Sequence, residues 1–300
     1  MDKSGTSFLF ERVKSQLPRR LVVANGVDLH TLEAVGRAIS NNIITATITG
    51  DKDLILSNFK KLGFASDGFK IESFNNAGDA VRRAVEIARK GEADLIMKGL
   101  IGTDEFMKAI LDKEHGLLPN GALLSHVAML FNDVYHKPMF VSDVAIVPQP
   151  TLQQKEQMVK YLVSVARKAG IEQPKVAFIA ATEKILAKMP ACTDAAALKE
   201  KWENGAFPGT ICDGPMALDL AIDKDSANVK GFDSPVAGNA DCLLFPNIES
   251  GNVFYKTNTK FCNARAAAIV LGTTIPTILS SRGDSTDTKF YSTALASLIG

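Results

Sequence analysis

The sequence predicts an α/β fold of about two domains, with mostly parallel sheet covered by helices on both faces. Three observations carry this expectation. Short apolar runs alternate with amphipathic segments along the whole chain, the grammar of repeated βα units. The polar and glycine-containing turns follow the apolar runs, where open parallel sheets collect ligands. At 300 residues, 46% of them hydrophobic, the chain can fill more than one large core.

The elements follow in order. "RRLVVAN" (19–25) reads as a strand, and "GVDLHTLEAVGRAISNN" as a helix. Asp28 is its expected N-cap, with Leu29, Leu32, Val35 and Ile39 on one face. "IITATIT" (43–49) is a β-branched strand, and "NAGDAVRRAVEIARKG" a helix over 76–90 stopped by Gly91. "ADLIMKG" (93–99) is a strand ending in a turn, and "TDEFMKAILDKE" (103–114) a helix capped by its Thr. In the second half "KPMFVSD" is a strand and "TLQQKEQMVKYLVSVARKAG" (151–170) a long helix closed by Gly170. "KVAFIAAT", "GTICDG" and "ADCLLFP" are further strands. His126, in "GALLSHVAM", falls in a helix-like apolar context and reads as a packed core residue. No repeat of 20–50 residues and no low-complexity tract appears.

Composition narrows the function. A net charge of +1 does not favour nucleic acid as a partner. The four cysteines, Cys192, Cys212, Cys242 and Cys262, form no C-x-x-C pair, so neither a disulfide framework nor a zinc site is expected. The first twenty residues contain no long apolar region, and no run approaches the roughly 18–20 apolar residues of a membrane span. The expectation is a cytoplasmic protein with reduced thiols and no membrane partner. No phosphate loop of the G-x-x-x-x-G-K-[ST] type occurs, and no G-x-G-x-x-G follows the first strand. The four histidines contain no H-E-x-x-H, and no metal is expected.

Candidate site residues stand at the ends of the expected strands. Lys98 and Gly99 follow "ADLIM", Asp143 follows "MFVS", Asp213-Gly214-Pro215 follows "GTIC", and "FPNIESGN" (245–252) follows "ADCLL". Each alone fits a turn or a helix cap; together they outline a polar site built from several loops. The sharpest segment is "SSRGDSTDTK". Arg282 and Gly283 stand before an expected helix capped by Asp284 or Ser285. Unpaired N–H groups at a helix start, a glycine allowing close approach and a planar guanidinium suit a phosphate. The alternative is a surface cap beside a solvated arginine. An "RGD" adhesion role would need an exposed extracellular loop, which nothing in the sequence indicates.

The ordered set "ADLIMKGLIGTDEFMKAIL", "GALLSHVAM", "VSDVAI", "AKMPACTDAAAL", "CDGPMALDLAI", "GNADCLLFPNIESGN" and "SRGDSTDTK" resembles the phosphate acetyl/butyryltransferase family over roughly residues 15–300. "KMPACTDAAAL" and "DGPMALD" look closer to its butyryl branch. The resemblance implies a two-lobed, three-layer α/β/α fold like that of isocitrate and isopropylmalate dehydrogenases, with the active-site cleft between lobes. It implies a first lobe of 1–137 plus 279–300, a second of 138–278, and a homodimer or higher homo-oligomer.

The implied reaction is short-chain acyl-CoA (butyryl-CoA) plus phosphate to acyl phosphate plus CoA, by direct transfer in a ternary complex. CoA is a substrate, and no cofactor is implied. Acetyl preference within the family is the first alternative. A metal- and NAD(P)-dependent decarboxylating dehydrogenase on the same fold is the second. In the family's acetyltransferase members the serine and arginine of the "SRG" motif sit at the reacting centre, matching Ser281 and Arg282. An arginine of the helix after the "KG" turn is matched by Lys108, which keeps the charge without the planar fork. An aspartate seven residues after the motif serine is matched by Thr288, with Asp287 one step earlier, about 100° away on a helix. The catalytic set is thus Ser281, Arg282 and Asp287, with Asp213 a second candidate base. The substrate-binding set is Lys98, Lys108, Ser125, Asp143, Asp213 and Asn252.

Overall fold

A computed structural model describes residues 6–65, 68–279 and 284–300. Two compact units divide the chain: Thr6–Leu124 with Ala266–Gly300, and Ser125–Arg265. They are called here the first and second lobes.

The first lobe runs α1 (Thr6–Val13), β1 (Arg19–Ala24), α2 (Leu29–Ser40), β2 (Ile44–Gly50), α3 (Lys52–Leu62), β3 (Phe69–Ser73), α4 (Ala77–Arg89), β4 (Leu95–Lys98) and α5 (Thr103–Ile110). The second comprises β5 (Ser125–Phe131), β6 (Met139–Ser142), α6 (Leu152–Lys168), β7 (Lys175–Ile179), α7 (Pro190–Glu203), β8 (Ile211–Met216), α8 (Leu218–Ile222), α9 (Lys224–Val229), β9 (Cys242–Leu244) and α10 (Ile248–Lys260). The chain then rejoins the first lobe with β10 (Arg265–Leu271), β11 (Thr277–Ile278) and α11 (Thr286–Ile299).

In the first lobe the strands lie in the order β3-β2-β1-β4-β11-β10, parallel except for the β11–β10 pair. β1 is buried from Leu21 to Ala24, so side chains on both faces are covered, as parallel strands require. Val22 and Ala24 meet the apolar stripe of α4 (Val81, Ala84, Val85, Ala88) and Phe106 and Ile110 of α5. Leu21 and Val23 point to the other face by strand alternation. In the second lobe the order is β5-β6-β9-β7-β8, parallel except for the β5–β6 hairpin. Lys137 lies in that hairpin and pairs with Asp241 at 2.7 Å.

Local chemistry sets the boundaries. Asp28 caps α2, accepting from the Thr31 N–H at 2.9 Å. Thr151 caps α6 in a reciprocal box with Gln154, and Gly170 follows with φ 109°. Three helix expectations are corrected. Thr103 is the first residue of α5, not its cap; Gly102 holds the cap position with no side-chain bond. α5 also ends at Ile110 rather than near 114, because the Asp112 carboxylate takes the N–H groups of Glu114 and His115 and bends the chain. His126 lies in strand β5, not in a helix. A fully buried run such as "SHVAMLF" has no surface face to reveal its period. β8 continues through Asp213-Gly214-Pro215, a proline tolerated because β8 is an edge strand of its lobe's sheet.

Because the Thr151 hydroxyl accepts the Gln154 N–H in the α6 box, Thr151→Ala, which keeps only the backbone half of the box, should cost about 1 kcal/mol of stability. Urea unfolding that shows no loss would mean the box contributes nothing beyond water.

Candidate active site

In the first lobe, β1 and β4 end side by side. Asn25, just past β1, adopts φ 54°, a left-handed conformation that asparagine tolerates better than most residues. Its Nδ2 donates to the Leu100 carbonyl at 2.6 Å. Gly99 fits beneath it because a side chain there would begin 2.3 Å from the Asn25 carbonyl oxygen. Lys98, the last residue of β4, is 3% exposed and its Nζ donates to the Ile101 carbonyl at 3.0 Å. These contacts fix the turn after β4.

The start of α11 is clamped onto α2. Ser285, one of the two expected caps, accepts from the Thr288 N–H at 3.1 Å. Thr286 Oγ1 lies 3.1 Å from His30 Nδ1 and donates to Glu33 Oε2 at 3.2 Å. Asp287 pairs with Arg37 at 2.7 Å, and the Arg37 guanidinium also lies over the Phe290 ring, 4.3 Å from its centroid. Lys289 is buried within the electrostatic reach of Asp28 and Asp284, and desolvation lowers its pKa. Ser281 and Arg282 lie outside the described residues.

Lys108 is exposed on α5 and lines a groove of about 560 Å³ between α4 and α5. Among the described residues it forms no ion pair or side-chain hydrogen bond.

In the second lobe, Ser125, Asp143 and Asn252 come together. Asp143 is 2% exposed. Its Oδ2 accepts from Ser125 Oγ at 3.0 Å and the His126 N–H at 2.9 Å, and its Oδ1 from the N–H groups of Ala145 and Ile146 at 2.8 Å each. Ser142 Oγ lies 3.1 Å from Ser125 Oγ. α10 enters the same cluster: Asn252 Nδ2 donates to the Val144 carbonyl at 2.9 Å. Gly251 abuts Asp143 so closely that a Cβ would lie 2.2 Å from its carbonyl oxygen. Asp213 stands apart on β8, three strands from β6 in the sheet order, or about 14 Å at the usual strand spacing. Its Oδ1 accepts from Lys199 Nζ at 2.7 Å and the Gly214 N–H at 2.8 Å.

Sequence reasoning missed Asn25, Lys199 and the His30–Thr286–Glu33 contacts. Only Asn25 left a local signal, an Asn-Gly pair directly after an apolar strand. Among the described residues no group of three or more His, Cys, Asp or Glu side chains could hold a metal ion. Among the described residues no helix is long and apolar enough to cross a membrane.

The fold and the strand-end clusters define an α/β enzyme class, and comparison with known proteins narrows it. Residues 66–297 match the phosphate acetyl/butaryl transferase family. The chain is 42% identical over 288 residues to a phosphate butyryltransferase of Clostridium acetobutylicum, covering 96% of this chain and 95% of that one. It is 37% identical to a phosphate acetyltransferase of Thermotoga maritima, covering 93% and 95%. A branched-chain phosphotransacylase from Enterococcus faecalis has a similar structure, with a TM-score of 0.80 and 27% identity over 93% of this chain and 99% of that one. The chain belongs to the phosphate acetyl/butaryl transferase family.

The contact at Gly251 gives a stability test of the second-lobe cluster. Gly251→Ala must push α10 away from Asp143 and should cost about 1–3 kcal/mol by overpacking. Unchanged stability in urea would show that α10 shifts freely at this contact.

Proposed function

We propose that the protein transfers a short-chain acyl group, butyryl foremost, between CoA and inorganic phosphate. The observation that carries this reading is the 42% identity to a phosphate butyryltransferase over nearly the full length of both chains. A phosphate oxygen attacks the thioester carbonyl carbon while both substrates are bound. The carbon–oxygen bond forms, the carbon–sulfur bond breaks, and CoA leaves as a thiolate that takes up a proton. No resident cofactor takes part in this scheme, since phosphate and CoA are themselves the group acceptor and leaving group.

The proposed roles follow from charge and donor geometry. Arg282 holds the phosphate in line with the carbonyl, with the N-terminus of α11 adding to the positive field. Ser281 donates to the developing oxyanion or to the leaving sulfur, a contribution of about 3–4 kcal/mol for a well-placed donor. In the reverse direction the CoA thiol must lose its proton near an ordinary pKa of about 8.5, and Asp287 is the proposed acceptor. Its Oδ1 is engaged by Arg37, which leaves Oδ2 to accept. Asp213 is the alternative base, with Lys199 on one of its oxygens. Lys98 and Lys108 supply further positive charge to the anions. Asp143 works with Ser125 and Asn252 to hold the start of β5 and the substrate-facing loop after β6. The working unit in this reading is a homodimer, and sedimentation showing a fully active monomer would remove that part.

The test is CoA release from C2 to C6 acyl-CoA with and without phosphate. Phosphate-dependent release, fastest near C4, is expected; no release from any chain length would overturn the proposal. Arg282→Gln removes a charge-assisted bond of about 1.5–3 kcal/mol, so kcat/KM for phosphate should fall roughly 10- to 150-fold. Arg282→Lys should recover only part of it. An unchanged value in the folded Gln variant would leave the motif a helix cap.

A further inference from the structure

We infer that the groove between α4 and α5 seats the nucleotide end of CoA, the part of the substrate most distant from the reacting thioester. The inference rests on the transacylase reading above.

The groove lies wholly within the first lobe and has a volume of about 560 Å³. It begins at Gly78 and Glu105, in the first turns of α4 and α5. Each of these helices follows a strand, β3 or β4, so their first turns lie at the strands' carboxyl ends. That is the edge where Lys98 and the turn after β4 sit. From there the groove descends to Arg89 and His115. From Gly78 to Arg89 is eleven residues, or about 16 Å of helix. A ligand anchored low in this groove can therefore extend a flexible arm up to the strand ends.

The lining suits a purine carrying phosphates. Val81, Val85 and Ala109 give an apolar floor, against which a flat ring system can lie. Arg82 and Arg89 stand about two turns apart on α4, with Lys108 on α5 and His115 just beyond that helix on the facing wall. Three carboxylates also line the groove, and two of them are already engaged. Glu86 is paired with Lys90 at 2.5 Å and Arg83 at 2.9 Å, neither of which lines the groove, and its pKa is lowered to about 2. Asp112 accepts the N–H groups of His115 and Glu114, which lowers its pKa. Glu105 remains near the upper end. Among the cations, Arg82 is shared with Asp79, while among the described residues Arg89 reaches the Glu114 carbonyl alone, at 3.4 Å. Lys108 and Arg89 thus keep their charge available for an anion. One wall of the groove is an arginine suited to bidentate phosphate contact, and the other a lysine acting as a point charge.

CoA differs from dephospho-CoA only by the ribose 3′-phosphate, so the pair reads this contact directly. Wild-type protein should favour CoA over dephospho-CoA in kcat/KM by roughly tenfold, the worth of one charge-assisted phosphate contact. Arg89→Ala should raise KM for CoA by a similar factor, abolish the discrimination, and leave KM for phosphate unchanged. Ala109→Trp, which fills the floor with bulk, should raise KM for CoA and dephospho-CoA alike. If both variants fold and turn over both thiols with wild-type KM values, the nucleotide end lies elsewhere and the inference fails. Loss of discrimination in Arg89→Ala accompanied by an equal rise in KM for phosphate would also overturn it, because the effect would then be general. Absence of any transacylation in the wild type would instead defeat the functional reading itself.

Discussion

In the second lobe the start of β5 and the end of β6 are organised around one buried carboxylate, Asp143. Asp143 accepts four hydrogen bonds from within its own lobe, one from a serine hydroxyl and three from backbone N–H groups. Burying a charged carboxylate is tolerable only when its lone pairs are matched in this way. The consequence is geometric. The start of strand β5 and the loop after β6 are both referred to this one side chain, and α10 packs on the same loop through Asn252 on the Val144 carbonyl and Gly251 against the Asp143 backbone carbonyl. Among its described residues the first lobe has no buried carboxylate of this kind. There the strand-end turn is held by Asn25 and Lys98 through bonds to backbone carbonyls, and the start of α11 by a surface-facing set of contacts to α2.

Much of this organisation was legible in the sequence, and the reasons differ by element. The caps Asp28 and Thr151 declare themselves because a cap is a local contract between a side chain and N–H groups two or three residues on. The exposed amphipathic helices, such as α4, show their period because one face meets water. β5 did not, since all seven of its residues are buried and a uniform environment imposes no pattern. The antiparallel pairs β5–β6 and β10–β11 were likewise invisible within an otherwise parallel expectation. Nothing in a strand's own residues states the direction of its neighbour.

The candidate site divides the same way. Lys98 at the end of β4, Asp143 just past β6 and Asn252 in the helix after β9 were legible because loops and ligands gather at strand ends. The partners of those residues were not. Arg37 and Asp287 are separated by 250 positions, and Lys199 and Asp213 meet only because α7 folds back along β8. Arg37 is an ordinary arginine in the last turn of a helix as far as the sequence goes. Its pairing with Asp287 and its stacking over Phe290 are properties of the α2–α11 packing alone.

That packing has a consequence for how the chain is made. β10, β11 and α11 complete the sheet and helical layer of the first lobe, yet they leave the ribosome only after the whole second lobe. The second lobe, continuous from 125 to 265, is fully synthesised before them. Domains fold as units during synthesis. The order of folding is therefore inverted relative to the order of the sequence: the middle of the chain closes first. The segments from α1 to α5 wait with the docking face for α11 uncovered, a stretch of time in which a chaperone or a neighbouring nascent chain has access to it.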